Sequence, residues 1–179
     1  MEGGTGQRLQ GRRELYDEAV REFGVALDRV AAGYEADHDR RRDLRQEIHL
    51  QLWRSLELFD GRCSLKTWVF RVAHNTAVTY VNRERRSRAG LVTLDEMVEA
   101  SPDGNPAQAI DERRAVERLS RLIYGLKPGD RQIMLAYLEG MDAASIAEVT
   151  GLSRANVSMK VHRIKQVLAR NFFEEGQHA

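Results

Sequence analysis

Two stretches of this 179-residue chain carry side chains suited to gripping nucleic acid, and neither suits covalent chemistry. From Arg154 to Arg170 there are five basic residues and no acid. Val157, Val161, Ile164 and Leu168 fall within about 60° of one another at 100° per residue, which predicts a helix with one apolar face. Asn156, Ser158, Met159, His162 and Arg163 lie on its far side. Arg can bond guanine and Asn adenine in a major groove, and Lys160, Lys165 and Arg170 flank them as phosphate contacts. The second stretch, FDGRCSLKTWVFRVAHNTAVTYVNRERR, interleaves Phe59, Trp68, Phe70 and Tyr80 with Lys66, Arg71, His74, Asn75, Arg83 and Arg85. Rings for stacking beside cations for the backbone suit single-stranded nucleic acid. The plainer reading puts Trp68 or Phe70 in a core.

Around the first stretch, Asp142 can cap a short helix carrying Ile146, Ala147 and Val149. Gly151 supplies a left-handed turn at little steric cost, Leu152 can plug the core, and Ser153 can cap the basic helix. That is a helix-turn-helix. Such modules usually act as dimers on successive grooves, yet no dimerisation helix is evident, so a stand-alone dimeric regulator leaves the N-terminal half unexplained.

In that half, Tyr16, Val20, Phe23, Leu27, Val30 and Tyr34 mark one helical stripe. A second helix is expected from about Asp39 to Leu58, with Leu44, Ile48, Leu52 and Leu56 facing the core. Asp43, Gln46, Glu47 and Leu50 form a separate strip, either solvated surface or a docking face. A third helix is expected from Ser64, as N-cap, to about Arg86. No strand pattern or internal repeat competes.

Composition closes off other classes. The net charge of +1 conceals a basic, acidic, basic order: Ala89 to Glu112 holds six acids and no Lys or Arg, after the basic run Arg83–Arg88. No apolar run approaches the roughly 20 residues that span a bilayer, and MEGGTGQRLQG lacks the apolar centre of a signal peptide. The single cysteine, Cys63, excludes an internal disulfide and suits a reducing cytoplasm. The five His are scattered without metal-ligand spacing, and no phosphate loop or nucleophile elbow is present. The chain reads as a non-enzyme without metal or cofactor. Its fold class is all-α: a disordered tail over 1–13, a helical domain over 14–88, an acidic flexible linker over 89–108 and a helix-turn-helix domain over 109–174.

The residues also carry a resemblance. DLRQEIHLQLW, then FDG and SLKTWVFRVAHNTAVTYVNRERR, resembles region 2 of the sigma-70 family, and LKPGDRQIMLAYLEGMDAASIAEVTGLSRANVSMKVHRIK resembles region 4. The order, with only a short linker between, resembles the extracytoplasmic-function (ECF, group IV) sigma factors. The resemblance implies a promoter-reading subunit with bacterial RNA polymerase core (clamp helices and flap), promoter DNA and an anti-sigma factor as partners, without membrane insertion.

By the same resemblance, Asp43, Gln46, Glu47 and Leu50 bind the clamp helices. Phe59, Lys66, Trp68, Arg71, Asn75, Arg83 and Arg85 read and open the −10 element, with Phe59 and Asn75 near a pocket for a flipped base. Arg154, Asn156, Ser158, Met159, Lys160, His162 and Arg163 read the −35 element. The acidic linker would thread a basic channel of the polymerase. Many members open the recognition helix with Gly-Thr-Val-Lys/Arg-Ser-Arg, whereas this chain has Ala155-Asn156-Val157-Ser158-Met159-Lys160, so one basic contact is missing at Ser158.

Overall fold

A computed structural model describes residues 3–89 and 107–176. Among them every regular element is a helix: α1 Gly3–Tyr34, α2 His38–Ser55, a 3-10 turn Leu56–Leu58, α3 Leu65–Ala89, α4 Ala107–Tyr124, α5 Pro128–Leu138, α6 Ala143–Thr150 and α7 Arg154–Gly176. They divide into two compact units, one built on α1–α3 and the other on α4, α5, α7 and residues 143–147 of α6. Residues 90–106, most of the expected linker, and the last residues, from 177, lie outside the described residues.

In the first unit α1, α2 and α3 pack pairwise on one another. Leu27, Val30 and Tyr34 of the expected stripe are buried, with Leu44, Ile48, Leu52 and Leu56 from the α2 side and Val69, Phe70, Ala73 and Ala77 from α3. Each large aliphatic or aromatic side chain removed from water contributes about 1.5–3 kcal/mol.

Polar groups at the joints set the helix directions. Asp37 caps α2 by accepting the Arg40 N–H at 2.9 Å, and that bond draws its carboxyl below the usual range. The nearly buried Glu35 accepts the Asp37 N–H at 3.0 Å, while Arg41 donates to the Glu35 and Ala36 carbonyls at 3.0 and 2.6 Å. Ser64 caps α3 as expected, accepting the Thr67 N–H at 3.1 Å.

Within the stretch expected as a tail, α1 begins at Gly3. The Arg12 guanidinium lies 4.3 Å over the Trp53 ring and 3.3 Å from a Glu57 oxygen. Trp53 in turn meets Tyr16 edge-on at 5.4 Å. Arg12 thus anchors the first turns of α1 onto α2 by cation–π and apolar contact.

In the second unit α7 packs on α4 and α5. Val157, Ile164 and Leu168 are buried, with Ile123, Ile133, Met134, Ala136 and Ile146 from the other helices and Met141 from the turn after α5. Pro128 opens α5, where a missing N–H costs nothing. Buried Arg131 donates to the Tyr124 and Leu126 carbonyls and so caps the end of α4.

Candidate nucleic-acid and polymerase interfaces

The recognition helix is built by its caps. Asp142 accepts the Ser145 N–H at 2.8 Å at the start of α6, and that bond lowers its carboxyl pKa. Gly151 turns the chain with φ 74°. Ser153 accepts the Asn156 N–H at 3.3 Å at the start of α7. These three features match the sequence expectation residue for residue.

Along α7, Arg154, Ser158, Met159, His162 and Arg163 are exposed and Asn156 is half-buried. Met159, at 67% exposure, is the large apolar side chain at the centre of this face, suited to a thymine methyl. His162 pairs with Gln166 at 3.1 Å along the same helix. Lys160 stands apart from this group. Its Nζ lies 2.6 Å from an Asp130 carboxylate oxygen on α5, and the other Asp130 oxygen is 3.9 Å from Arg163. Nothing in the sequence marks Asp130, because its partner lies thirty positions away and no period links them.

In the first unit, one helix sorts the mixed segment into two sides. At 100° per residue, Trp68, Arg71, Asn75 and Arg83 fall within an arc of about 120° on α3. Phe70, His74 and Tyr80 lie off that arc and are buried. Phe70 and His74 are wholly buried and Tyr80 nearly so, and of the two rings that the plainer sequence reading offered to a core it is Phe70 that lies there. His74 Nδ1 shares a hydrogen bond with Tyr34 Oη at 3.1 Å, and its Nε2 is buried without a partner. Burial lowers the His74 pKa to about 3.

Lys66 is half-buried in the first turn of α3, about 180° from Asn75 around the helix axis. It does not share their face. Arg85 sits on the same helix. Thr79, Asn82 and Arg86, which the sequence reading passed over, do fall in the exposed arc.

Trp68 is fixed at both ends of its ring. Its Nε1–H donates to Ser55 Oγ at 3.1 Å, and the Phe59 ring meets it at 5.5 Å with an interplanar angle of 63°. Phe59 reaches Trp68 because the next residues turn sharply: Gly61 has φ 75°, and Asp60 accepts the Arg62 N–H at 3.2 Å. That bond, first among its causes, lowers the Asp60 carboxyl pKa. Phe59 and Trp68 thus form a half-buried aromatic corner, with Asn75 two helical turns further along α3.

On α2, Asp43, Gln46 and Leu50 are exposed and Glu47 is half-buried, accepting from Gln51 Nε2 at 2.8 Å. They share a face about 150° from the Leu44–Ile48–Leu52 stripe. Leu58 on the 3-10 turn is 75% exposed. Among the described residues no group of His, Cys, Asp or Glu could hold a metal ion, and no helix is long and apolar enough to cross a membrane.

Family comparison agrees with the division into units. The sigma-70 region 2 family matches residues 19–87 and the sigma-70 region 4 family residues 116–168. Similar proteins include the RNA polymerase sigma factor CnrH of Cupriavidus metallidurans, 26% identical over 174 residues, 91% of this chain and 89% of that one. The RNA polymerase sigma factor YlaC of Bacillus subtilis is 24% identical over 131 residues, 73% of this chain and 76% of its own. The ECF sigma factor SigE of Mycolicibacterium smegmatis is 25% identical over 175 residues, 95% and 68%.

The fold is shared with CnrH as solved with the cytosolic domain of CnrY, at TM-score 0.66, 20% identity and 94% of each chain. It is shared also with RpoE of Bartonella quintana, solved with the anti-sigma factor NepR, at TM-score 0.70, 16% identity and 89% and 96% of the two chains. The chain belongs to the sigma-70 family, within its ECF group, and is an RNA polymerase sigma factor. A stand-alone dimeric regulator is not favoured, since region 2 accounts for the half of the chain that reading leaves idle.

Proposed function

We propose that this sigma factor docks on bacterial core polymerase through the α2 strip of Asp43, Gln46, Glu47 and Leu50, and reads a promoter at two places. In this reading the 14–88 domain handles the −10 element. The Phe59–Trp68 corner and Asn75 receive an unpaired base, whose capture offsets an unstacking cost of a few kcal/mol. Arg71, Arg83 and Arg85 hold backbone phosphates. Lys66, on the other side of α3, contributes at most through the start of the helix.

The 109–174 domain reads the −35 element with α7 in the major groove: Asn156, Ser158, Met159 and His162 toward base edges, Arg154 and Arg163 toward phosphates or guanine. The 89–108 linker sets the reach between the two readers. The protein contributes selection and strand opening to the polymerase's chemistry, catalyses nothing itself, and works in the cytoplasm. Because CnrH and RpoE were solved with CnrY and NepR, an anti-sigma factor covering the α2 strip or the α7 face is the regulator proposed here.

The observation that carries this reading is the α2 strip: two carboxylates, an amide and a 43% exposed leucine on a face that its own unit leaves uncovered. The test is run-off transcription with purified core polymerase on genomic promoter fragments. Discrete start sites are expected only with this protein present. Each charge-assisted contact contributes about 1.5–3 kcal/mol, so Asp43→Ala/Glu47→Ala should cut transcript about ten-fold or more. Failure to bind core, or no discrete start sites once core is bound, would overturn it.

A further inference from the structure

The basic face of α7 is not wholly available to DNA. Asp130 stands in the first turn of α5, where the amide dipoles of the helix start stabilise a carboxylate. Its side chain is 18% exposed and it holds Lys160, 28% exposed, at 2.6 Å. Its second oxygen lies 3.9 Å from Arg163, which at 66% exposure is only loosely engaged. A phosphate approaching this side of the helix meets a lysine whose ammonium already has an anionic partner, in a setting partly shielded from salt.

We propose that Asp130 is an internal stand-in for a DNA phosphate, occupying Lys160 so that α7 binds duplex by base-edge contacts more than by backbone charge. This rests on the assignment of α7 as the −35 reader and adds a specificity-determining residue to it. Backbone contacts bind every sequence alike. Withholding one cation therefore weakens non-specific binding more than it weakens a matched site, and the recognition helix depends more on the correct bases. The missing basic residue at Ser158 acts in the same direction.

The test is the salt dependence of duplex binding by the full chain, read as fluorescence anisotropy of a labelled 30-base-pair random-sequence duplex. Releasing one cation onto a phosphate steepens the slope of log K against log salt by about 0.9. Asp130→Asn should therefore show that increment. A four-fold dilution of salt would tighten the variant by roughly three- to four-fold more than it tightens the wild type.

Loss of an acid also relieves general repulsion, and Lys160→Gln separates the two effects. In the Asp130→Asn background it should remove the gain. A shared slope for wild type and Asp130→Asn, with the thermal transition intact, would overturn the proposal. So would a gain that survives in the double variant; if Asp130→Asn fails to fold, Asp130→Ser, which keeps a polar group in the first turn of α5, is read in its place. Absence of salt-sensitive binding by every variant at the lowest salt would instead remove the DNA-reading assignment of α7, and this proposal with it.

Discussion

Lowering the pH from 7 to 5 should destabilise the first unit through His74. This imidazole is wholly buried among Tyr34, Phe70 and the α3 backbone, and burial holds its pKa at about 3 against 6.5 for a free histidine. Below pH 6.5 the unfolded chain takes up a proton that the folded chain refuses. Stability is thus complete above that pH and falls as the pH drops, by about 1.4 kcal/mol per unit. Between pH 7 and 5 the loss integrates to about 2 kcal/mol, a large share of the 5–15 kcal/mol typical of a domain. His49, whose pKa burial also lowers, acts in the same direction, so the whole-chain dependence alone does not isolate His74. His74→Leu does, because a leucine fits an apolar site and does not titrate. Trp53 and Trp68 are the only tryptophans and both belong to this unit, so tryptophan fluorescence in urea follows its unfolding without interference from the other. The difference in unfolding free energy between pH 7 and 5 should be about 2 kcal/mol smaller in His74→Leu than in wild type. Equal pH dependence in the two proteins would refute the reasoning, whatever their absolute stabilities.

Two further outcomes follow from backbone and anchor geometry. Gly151→Ala forces a side chain onto φ 74° with open space around it, so strain alone should cost about 1–2 kcal/mol. Gly129→Ala, on ordinary helical backbone with equally open space, should stabilise by about 0.5 kcal/mol, and thermal melts followed by circular dichroism compare the two. Arg12→Ala removes the guanidinium over Trp53 and the Glu57 ion pair; it should cost about 1 kcal/mol and shift tryptophan emission to the red, and unchanged emission would show that the first turns of α1 do not rest on Trp53.

Local rules carried most of the architecture. Asp142, Gly151 and Ser153 each obey a preference that acts over four residues or fewer, and each sits in the expected cap or turn. The same holds for Ser64. The start of α1 was illegible for a related reason: a run of glycines disfavours helix locally, and what anchors Arg12 is Trp53 on another helix. The segment 59–86 shows the limit of composition as evidence. Aromatic and basic residues alternate along it, but a period of 3.6 sends Trp68 and Asn75 to one side and Phe70 and His74 to the other. Composition cannot separate a stacking ring from a core ring; phase can, and the phase was available in the sequence.

Charge is the property that the sequence conveys least. Five basic residues without an acid from Arg154 to Arg170 read as five free phosphate contacts only if no carboxylate elsewhere in the fold reaches them. Asp130 does reach, and Lys165 lies 5.2 Å over the Tyr137 ring on α5. Both partners come from one helix packed against α7, so the packing that fixes the recognition helix also determines which of its cations remain available. On the proposed reading, core contacts and DNA affinity are coupled through α5. A substitution that shifts α5 by an ångström would alter binding without touching a single groove-facing residue. For that reason the salt slope, which counts engaged cations, is a better measure of this interface than the number of basic residues along α7.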